Sequence, residues 1–277
     1  MLLPGICRNS ALSNTPIIAP ATHDTGSAVA AISAREGTAF LSSGTWSLLG
    51  TEVDAPVISQ RALQLNFTNE GGVNRTTRLL KNVMGLWMLQ GCRQAWTARE
   101  LSYDHVELMD LAAHADAFPS LVDPDHASFM RPADMLAAID QFCARTQQLV
   151  PRTPGAYVRA ILESLAFKYN LVLQHLEELI GRRVEQIRVI GGGSKNRLLN
   201  QMTADATGRR VLAGPAEATA IGNIAVQILA TGGAASLKEV RAIVDRSYPV
   251  EVFEPLDTDR WQRQAERFEQ YCEAVYA

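Results

Sequence analysis

Apolar side chains recur at helical spacing through much of the second half of the chain. The longest such pattern begins at Pro154 and runs to about Arg182, and its wide apolar face predicts a central buried helix packed on a sheet. The same periodicity predicts further helices at 107–115, 133–149, 197–206, 218–232, 236–246 and 258–276. These amphipathic helices need another layer against which to bury their apolar faces.

Short apolar runs bounded by glycine, proline and small polar residues predict the strands. The runs at 37–42 and 46–53 are joined by Ser43 and Gly44, which indicates a hairpin. Further strands are predicted at 16–21, 62–67, 76–80, 185–190 and 210–213. Strands and helices therefore share the chain, which predicts an α/β fold in which helices pack on a sheet.

The dipeptide His23-Asp24 lies where the predicted strand 16–21 ends and an alanine-rich segment begins. Aspartate before such a segment is a common helix N-cap, and this is one interpretation of Asp24. The other interpretation is a carboxylate at the end of a strand that takes a proton from a substrate hydroxyl. The dipeptide alone favours the cap, and the motifs further along the chain favour the base.

Two glycine turns are candidates for binding phosphate or nucleotide. In the first, Gly44 is followed by Thr45, and such a turn is either a phosphate contact or an ordinary turn. The second, 191–196, contains three successive glycines between a predicted strand and a predicted helix, where a flat or anionic ligand can approach the backbone. Its spacing fits neither a Walker A loop nor the dinucleotide fingerprint. A nucleotide site of another kind is favoured over a plain turn.

Asn82 and Gln90 are a further pair of candidate ligand contacts. Asn82 is a good cap for a helix predicted to end near Trp96. On that helix the two side chains would lie on nearly the same face, about 12 Å apart along the axis. They could contact two parts of one ligand or simply be solvated.

Composition narrows the classes of function. The chain has 277 residues, of which 20% are charged, and its net charge of −3 argues against a nucleic-acid partner. No apolar run approaches the ~20 residues that span a membrane, and the first residues lack the basic segment and apolar core of a signal peptide. The four cysteines form no CxxC pair and have no histidine at metal-ligand spacing. The sequence therefore predicts a cytoplasmic protein with reduced thiols, Cys92 and Cys143 in helix cores, and no metal site.

Six motifs occur in a distinctive order along the chain. They are His23-Asp24-Thr25, Ser42-Ser43-Gly44-Thr45-Trp46, Asn69-Glu70-Gly71-Gly72, Lys81-Asn82-Val83-Met84-Gly85-Leu86-Trp87, Gly191-Gly192-Gly193-Ser194-Lys195-Asn196 and Gly214-Pro215-x-Glu217-Ala218. In this order and at these spacings they resemble the C-terminal half of the FGGY carbohydrate kinases, most closely the rhamnulokinase branch of that family. The resemblance extends from about Pro16 to the final helix.

This resemblance implies a ribonuclease H-like, actin-like ATPase domain, in which helices pack on a mixed sheet. It implies that Asp24 is the catalytic base. The positions implied to contact the sugar are His23, Asp24, Thr25 and Asn82. The positions implied to contact ATP are Gly44, Thr45, Gln90, Gly192, Gly193 and Asn196. The implied small-molecule partners are L-rhamnulose and ATP, with Mg²⁺.

The implied reaction transfers the γ-phosphate of MgATP to O1 of L-rhamnulose, a step of rhamnose catabolism. Family members also have an N-terminal domain that carries much of the sugar site, and nothing in this sequence resembles it. We therefore expect 1–277 to be the C-terminal kinase domain, with 1–15 a remnant of the interdomain linker. An uncovered cleft face would favour self-association. The alternative function is a stand-alone actin-like module that binds nucleotide without kinase turnover.

Overall fold

The computed structural model describes residues 16–33 and 37–274, and a sheet of seven strands lies at its centre. The strands are β1 (Thr38–Ser43), β2 (Trp46–Val53), β3 (Thr68–Gly71), β4 (Thr77–Met84), β5 (Gln186–Ile190), β6 (Arg210–Ala213) and β7 (Glu251–Phe253). Their order across the sheet is β3-β4-β2-β1-β5-β6-β7. β5 is parallel to both β1 and β6, whereas the other neighbours are antiparallel. The sheet is therefore mixed, as predicted.

Helices cover both faces of this sheet. One face carries α1 (Asp24–Ala30), α8 (Ala218–Ala230) and α9 (Leu237–Ser247), which share a core cluster with Phe40 and Leu80. The other face carries the larger cluster, built from α3 (Trp87–Thr97), α4 (His105–His114), α5 (Met135–Arg145), α6 (Pro154–Ile180), α7 (Arg197–Thr207) and α10 (Thr258–Ala274). The described residues also contain a short helix, α2 (Gln60–Gln64), and single 3₁₀ turns at Val73–Arg75, Ala127–Phe129 and Gly192–Lys195.

The long helix α6 is the central scaffold that the apolar periodicity predicts. It begins after Thr153, whose side chain accepts the N–H of Ala156, and it ends at Gly181 in the left-handed conformation. Its Tyr169 is fully buried and hydrogen-bonded to Ser47 of β2, with 2.7 Å between the two hydroxyl oxygens. This bond ties the scaffold helix to the strand that follows the first glycine turn.

The predicted first strand is wrong. Residues 16–21 form neither helix nor strand, and none of them is buried. Pro16 and Pro20 lack the N–H that a ladder needs. The helix that follows is confirmed, but it begins at Asp24 with His23 as its N-cap residue. The interpretation of Asp24 as the cap itself is therefore wrong.

The region between β2 and β4 also differs from the prediction. The strand predicted at 62–67 is replaced by the end of α2, which Ser59 caps by accepting the N–H of Ala62 at 3.0 Å. The chain joins the sheet only at Thr68, as β3. The short strand β7 was not predicted either, because three residues are too few to display an alternating pattern.

Cys92 and Cys143 lie in helix cores, as the sequence predicts. Cys92 and Cys143 are buried in α3 and α5, and burial raises the pKa of the Cys143 thiol to about 12. Across the described ranges, no helix combines the length and the apolarity that crossing a lipid bilayer requires. The predicted linker remnant, 1–15, lies outside the described residues.

Helices α1 and α8 approach each other closely at Gly222. A Cβ atom added at Gly222 would lie 1.7 Å from the carbonyl oxygen of Ser27. No side chain fits into this gap, so Gly222 is a packing contact between α1 and α8. The close approach fixes the helix that begins with Asp24 against α8.

We expect Gly222→Ala to lower the free energy of unfolding by about 2–3 kcal/mol, because the added methyl group overpacks the contact between α1 and α8. Urea denaturation of the chain measures this change. Gly71→Ala is the matched control, since a Cβ atom there meets no heavy atom within 4 Å. A Gly222→Ala chain as stable as the control would contradict the close approach.

Candidate functional site

The candidate site begins where the parallel strands β1 and β5 end side by side. Ser42 is paired with Ile190, so the turns 43–45 and 191–196 leave the same edge of the sheet. A Cβ atom added at Gly193 would lie 2.1 Å from Ser43 Oγ and 2.9 Å from the Ser43 carbonyl oxygen. A glycine is therefore required for the two turns to touch.

Backbone hydrogen bonds fix the Gly44 turn against the start of α3. The Gly44 N–H donates to the carbonyl of Trp46 at 3.0 Å. The Gly44 carbonyl accepts the N–H of Leu86, and the Thr45 carbonyl accepts the N–H of Trp87, both at 3.0 Å. The first turn of α3 is thereby docked on the turn that joins β1 to β2.

This docking brings Thr45 and Gln90 together. Gln90 Nε2 donates to Thr45 Oγ1 at 3.1 Å, and both side chains are exposed. The family resemblance implies that both residues contact the nucleotide. A hydroxyl and a carboxamide side by side at a glycine turn supply both donors and acceptors to a ligand.

The second turn combines open backbone with a helix cap. Gly191 has a φ of +82°, which favours glycine, and a Cβ atom added at Gly192 would meet no heavy atom within 4 Å. Asn196 is 3% exposed and caps α7, with its Oδ1 accepting the N–H of Leu199 at 3.1 Å. Its Nδ2 is buried without a hydrogen-bond partner in the part of the chain that the structure describes. The Asn196 side chain therefore acts in this turn as the cap of α7.

Asp24 presents its carboxylate to solvent at the start of α1, with 75% of the side chain exposed. Its Oδ1 accepts the backbone N–H of Thr25 at 2.7 Å and lies 3.1 Å from His23 Nδ1. Thr219 Oγ1 of α8 donates to the Asp24 carbonyl at 3.3 Å. An exposed carboxylate with one oxygen held by the backbone fits the interpretation as a general base.

Asn82 lies on β4 and not on the predicted helix. It is paired with Leu48, and α3 begins only at Trp87, so the prediction that Asn82 and Gln90 share a helix face is wrong. Pairing with β2 outweighs the local helical pattern. Leu48 packs against the cluster of α1 and α8, and directly opposed residues point to the same face. Asn82 is thus on the face of the sheet that carries Asp24.

β3 pairs with β4 only as far as Leu80, so Asn82 lies at an open edge of the sheet. From this edge it also lines a cavity of about 950 Å³ whose other lining residues include Lys168 of α6, on the opposite face. In this cavity Lys168 Nζ lies 2.7 Å from Asp123 Oδ1 and 3.1 Å from Asp125 Oδ2. Burial disfavours the charged lysine, but the two carboxylates outweigh burial and raise the Lys168 pKa. Asp125 Oδ1 also accepts the N–H of Met84 at 2.8 Å. This buried group fixes the end of β4 just before α3 begins.

Sequence reasoning missed two buried arginines next to α1. A Cβ atom added at Gly26 would lie 3.3 Å from Nη2 of Arg78. At the other end of the helix, Arg241 donates to the carbonyls of Val29 and Ala30. The available signal was a charged residue inside an apolar run, as with Arg78 in Thr77-Arg78-Leu79-Leu80.

Within residues 16–33 and 37–274, no group of three or more His, Cys, Asp and Glu side chains lies close enough to hold a metal ion. A Mg²⁺ ion carried by a nucleotide does not require such a group. It keeps several waters and is held by phosphates with one or two carboxylates.

Comparison with known proteins identifies relatives among the sugar kinases. The model of the FGGY family of carbohydrate kinases, C-terminal domain, matches residues 39–231. The chain is 50% identical to a rhamnulokinase from Bacteroides thetaiotaomicron over 251 residues, which are 90% of this chain and 51% of the relative. It is 41% identical to a rhamnulokinase from Bacillus subtilis, covering 88% of this chain and 50% of the relative. The chain thus spans about half the length of the curated relatives it matches.

Solved sugar-kinase structures share the fold. A xylulose kinase from Rhodospirillum rubrum superposes with a TM-score of 0.68 at 18% identity, covering 91% of this chain and 50% of that one. A glycerol kinase from Plasmodium falciparum with ADP gives a TM-score of 0.64 at 18% identity, covering 90% and 49%. At such identities the likeness shows the fold alone, and it confirms the predicted actin-like architecture.

Proposed function

The chain belongs to the FGGY family of carbohydrate kinases, and we propose that it is the nucleotide-binding half of a rhamnulokinase-type enzyme. The proposed reaction transfers the γ-phosphate of MgATP to O1 of L-rhamnulose, which gives L-rhamnulose 1-phosphate. One observation carries the proposal: turns 43–45 and 191–196 and the side chain of Gln90 meet at one edge of the sheet. We call residues 43–45 and 191–196, together with Gln90, the nucleotide cradle.

In this proposal the nucleotide cradle binds ATP mainly through backbone and neutral side chains. We assign Gly44 and Thr45 to the phosphates, because a small turn with a hydroxyl lets phosphate oxygens approach closely. The adenosine is assigned to the open backbone at Gly192 and Gly193, beside Asn196. Gln90, hydrogen-bonded to Thr45, would hold that hydroxyl in place and contact the nucleotide.

Asp24 acts as the general base in the proposed reaction. It accepts the O1 proton of L-rhamnulose while the O1 atom forms a bond to the γ-phosphorus. The bond from this phosphorus to the bridging oxygen breaks, and ADP leaves with the electron pair. His23, Thr25 and Asn82 are assigned to the sugar hydroxyls, because His23 and Thr25 flank the base and Asn82 shares its face of the sheet.

Mg²⁺ would supply charge neutralisation on the transferred phosphoryl group. The chain needs no dedicated acidic cage for an ion that arrives on ATP. The protein contribution to the transfer is then positioning of the sugar hydroxyl, the base and the phosphates.

We further propose that 1–277 acts as one C-terminal kinase domain in the cytoplasm, where ATP is available. The other wall of the sugar cleft would come from a half like the one that the rhamnulokinase relatives carry outside the matched region. Without that half, the uncovered cleft face is expected to favour self-association. Size-exclusion chromatography at increasing concentration measures it.

A stand-alone nucleotide-binding module is the second candidate function. It is favoured by one observation: the nucleotide cradle is built entirely from this chain, which spans about half the length of its relatives. Such a module would bind ATP without transferring phosphate to a sugar.

A coupled ADP-release assay separates the two functions. It uses a chimaeric kinase, defined as the full chain joined to the half of the Bacteroides thetaiotaomicron rhamnulokinase that it does not match. With MgATP, we expect turnover with L-rhamnulose to exceed turnover with L-fuculose, D-xylulose and glycerol. ATP binding by the chimaeric kinase without sugar-dependent turnover would favour the module and overturn the kinase.

A further inference from the structure

The motif Asn69-Glu70-Gly71-Gly72 holds a buried arginine of the neighbouring strand. Arg78 of β4 is 2% exposed. Its Nε and Nη2 both donate to the Gly71 carbonyl at 3.1 Å, and Nη2 lies 3.0 Å from Glu70 Oε2. A planar guanidinium held at these atoms has one defined orientation.

The Arg78 guanidinium also faces the first turn of α1. A Cβ atom added at Gly26 would lie 3.3 Å from Arg78 Nη2 and 2.9 Å from the Cβ atom of Ala21. Gly26 is therefore the point where the helix rests on the arginine. Asp24, the proposed base, begins this helix only two residues earlier.

The Glu70 carboxylate leaves part of the Arg78 charge unpaired. Nη1 is buried and has no hydrogen-bond acceptor within the described ranges. Burial lowers the pKa of Arg78, and the carboxylates of Glu70, Asp24 and Glu52 act against this shift, in that order. A buried donor without an acceptor costs about 1–3 kcal/mol, so stability alone does not explain an arginine here. The cation and the Asp24 carboxylate attract each other.

The C-terminal end of α1 is anchored separately. Arg241 of α9 donates through Nη2 to the Val29 carbonyl at 3.1 Å and through Nε to the Ala30 carbonyl at 3.2 Å. Arg241 Nη2 also binds Glu52 Oε2 at 2.6 Å. The helix is thus held at its end by Arg241, in its middle by the Gly222 contact and at its start by Arg78.

We propose that Arg78, oriented by Glu70, is a positioning residue for Asp24: it supports the first turn of α1 so that the carboxylate faces the sugar hydroxyl. This inference rests on the proposed function. Displacing a reacting group by about 1 Å costs up to about 10²-fold in rate. Loss of the support should therefore lower turnover and leave the nucleotide cradle intact.

The test compares three variants of the chimaeric kinase. Arg78→Met removes the charge, and Arg78→Lys keeps it without the planar fork. Arg159→Met is the matched control, because Arg159 donates to the carbonyls of Ala112 and Ala113 and pairs with the buried Glu163 at 2.7 Å. Arg159 belongs to α6, on the face of the sheet opposite α1.

We expect Arg78→Met to lower kcat by about 10- to 100-fold, with the KM for ATP changed by less than about twofold. Arg78→Lys should recover part of the lost kcat. Arg159→Met should lose stability but keep its kcat within about twofold of the parent. A kcat that Arg78→Met leaves unchanged, or an equal loss in Arg159→Met, would overturn the proposal.

A second measurement tests whether Arg78 supports the first turn of α1 even if the parent chimaeric kinase is inactive and the proposed function fails. Amide hydrogen exchange on the chain alone reports the Ser27 N–H, which is bonded to the His23 carbonyl at 2.9 Å. We expect this amide to exchange at least about tenfold faster in Arg78→Met than in Arg159→Met. Equal protection in the two variants would overturn the positioning role.

Discussion

Replacing Asp24 with asparagine is expected to lower the kcat of the chimaeric kinase by about 10²- to 10⁴-fold, because an amide does not accept the O1 proton. Asparagine keeps the oxygen that accepts the Thr25 N–H at 2.7 Å, so the first turn of α1 should stay intact. ATP affinity should therefore change by less than about twofold. ADP release measures the first effect, and calorimetric titration with ATP measures the second.

Asp259→Asn is the matched control for this substitution. Asp259 is exposed and lies in the first turn of α10, as Asp24 lies in the first turn of α1. The control should keep its kcat within about twofold of the parent. If Asp24→Asn retained most of its turnover, the general base would have to be another group.

Gly193→Ala is expected to weaken ATP binding by at least about tenfold, because the methyl group forces the two turns of the nucleotide cradle apart. The added Cβ atom would lie 2.1 Å from Ser43 Oγ and 2.5 Å from Ser43 Cβ. Since the collision includes the Ser43 carbonyl, rotating one side chain does not relieve it. Calorimetry of the chain with ATP measures the loss, and urea denaturation measures the accompanying loss of stability.

Gly192→Ala tests the proposed contact with adenosine without disturbing the packing of Gly193 against Ser43. A Cβ atom at Gly192 meets no heavy atom within 4 Å, so the stability should change by less than about 1 kcal/mol. If adenosine lies on this turn, the methyl group stands in its place and ATP binding weakens without a loss of stability. Unchanged ATP binding in Gly193→Ala would contradict the assignment of the cradle.

The glycine turns could be predicted from the sequence because their chemistry is local. Three successive glycines between a strand pattern and a helix pattern have few conformational alternatives, and the structure has a strand, a turn and α7 there. The hydrogen bond between Gln90 and Thr45 could not be predicted in this way. It joins two elements, and their docking depends on backbone bonds between the Gly44 turn and the start of α3.

At Asn82 the local sequence pattern predicts the wrong secondary structure, a helix in place of β4. The segment around it carries apolar residues that fit a helix as well as a strand, and the choice is made by pairing with β2. The strand predicted at 62–67 is wrong for a related reason. Ser59 caps the short helix α2, which is too short for its apolar repeat to be recognised in the sequence.

Arg78 and Glu70 show a second limit. In the sequence, a charged residue in a strand is most simply placed on a solvated face, yet Arg78 is 2% exposed and directed toward α1. Arg78 becomes buried only when β3, β4 and α1 come together, because its neighbours Gly71 and Gly26 belong to different elements. Family motifs identified the chain as an FGGY kinase, which the comparisons confirm. The motifs could not, however, predict the distances between Arg78 and its neighbours.

The most direct measurement of the central claim identifies the product. The chimaeric kinase is incubated with MgATP and L-rhamnulose, and the phosphorus spectrum is recorded by NMR over time. The proposal predicts a phosphate monoester coupled to the C1 protons of the sugar, formed in equal amount to ADP and formed at least about 10²-fold more slowly with Asp24→Asn. ADP accompanied by inorganic phosphate alone, or no consumption of ATP, would contradict phosphoryl transfer to L-rhamnulose.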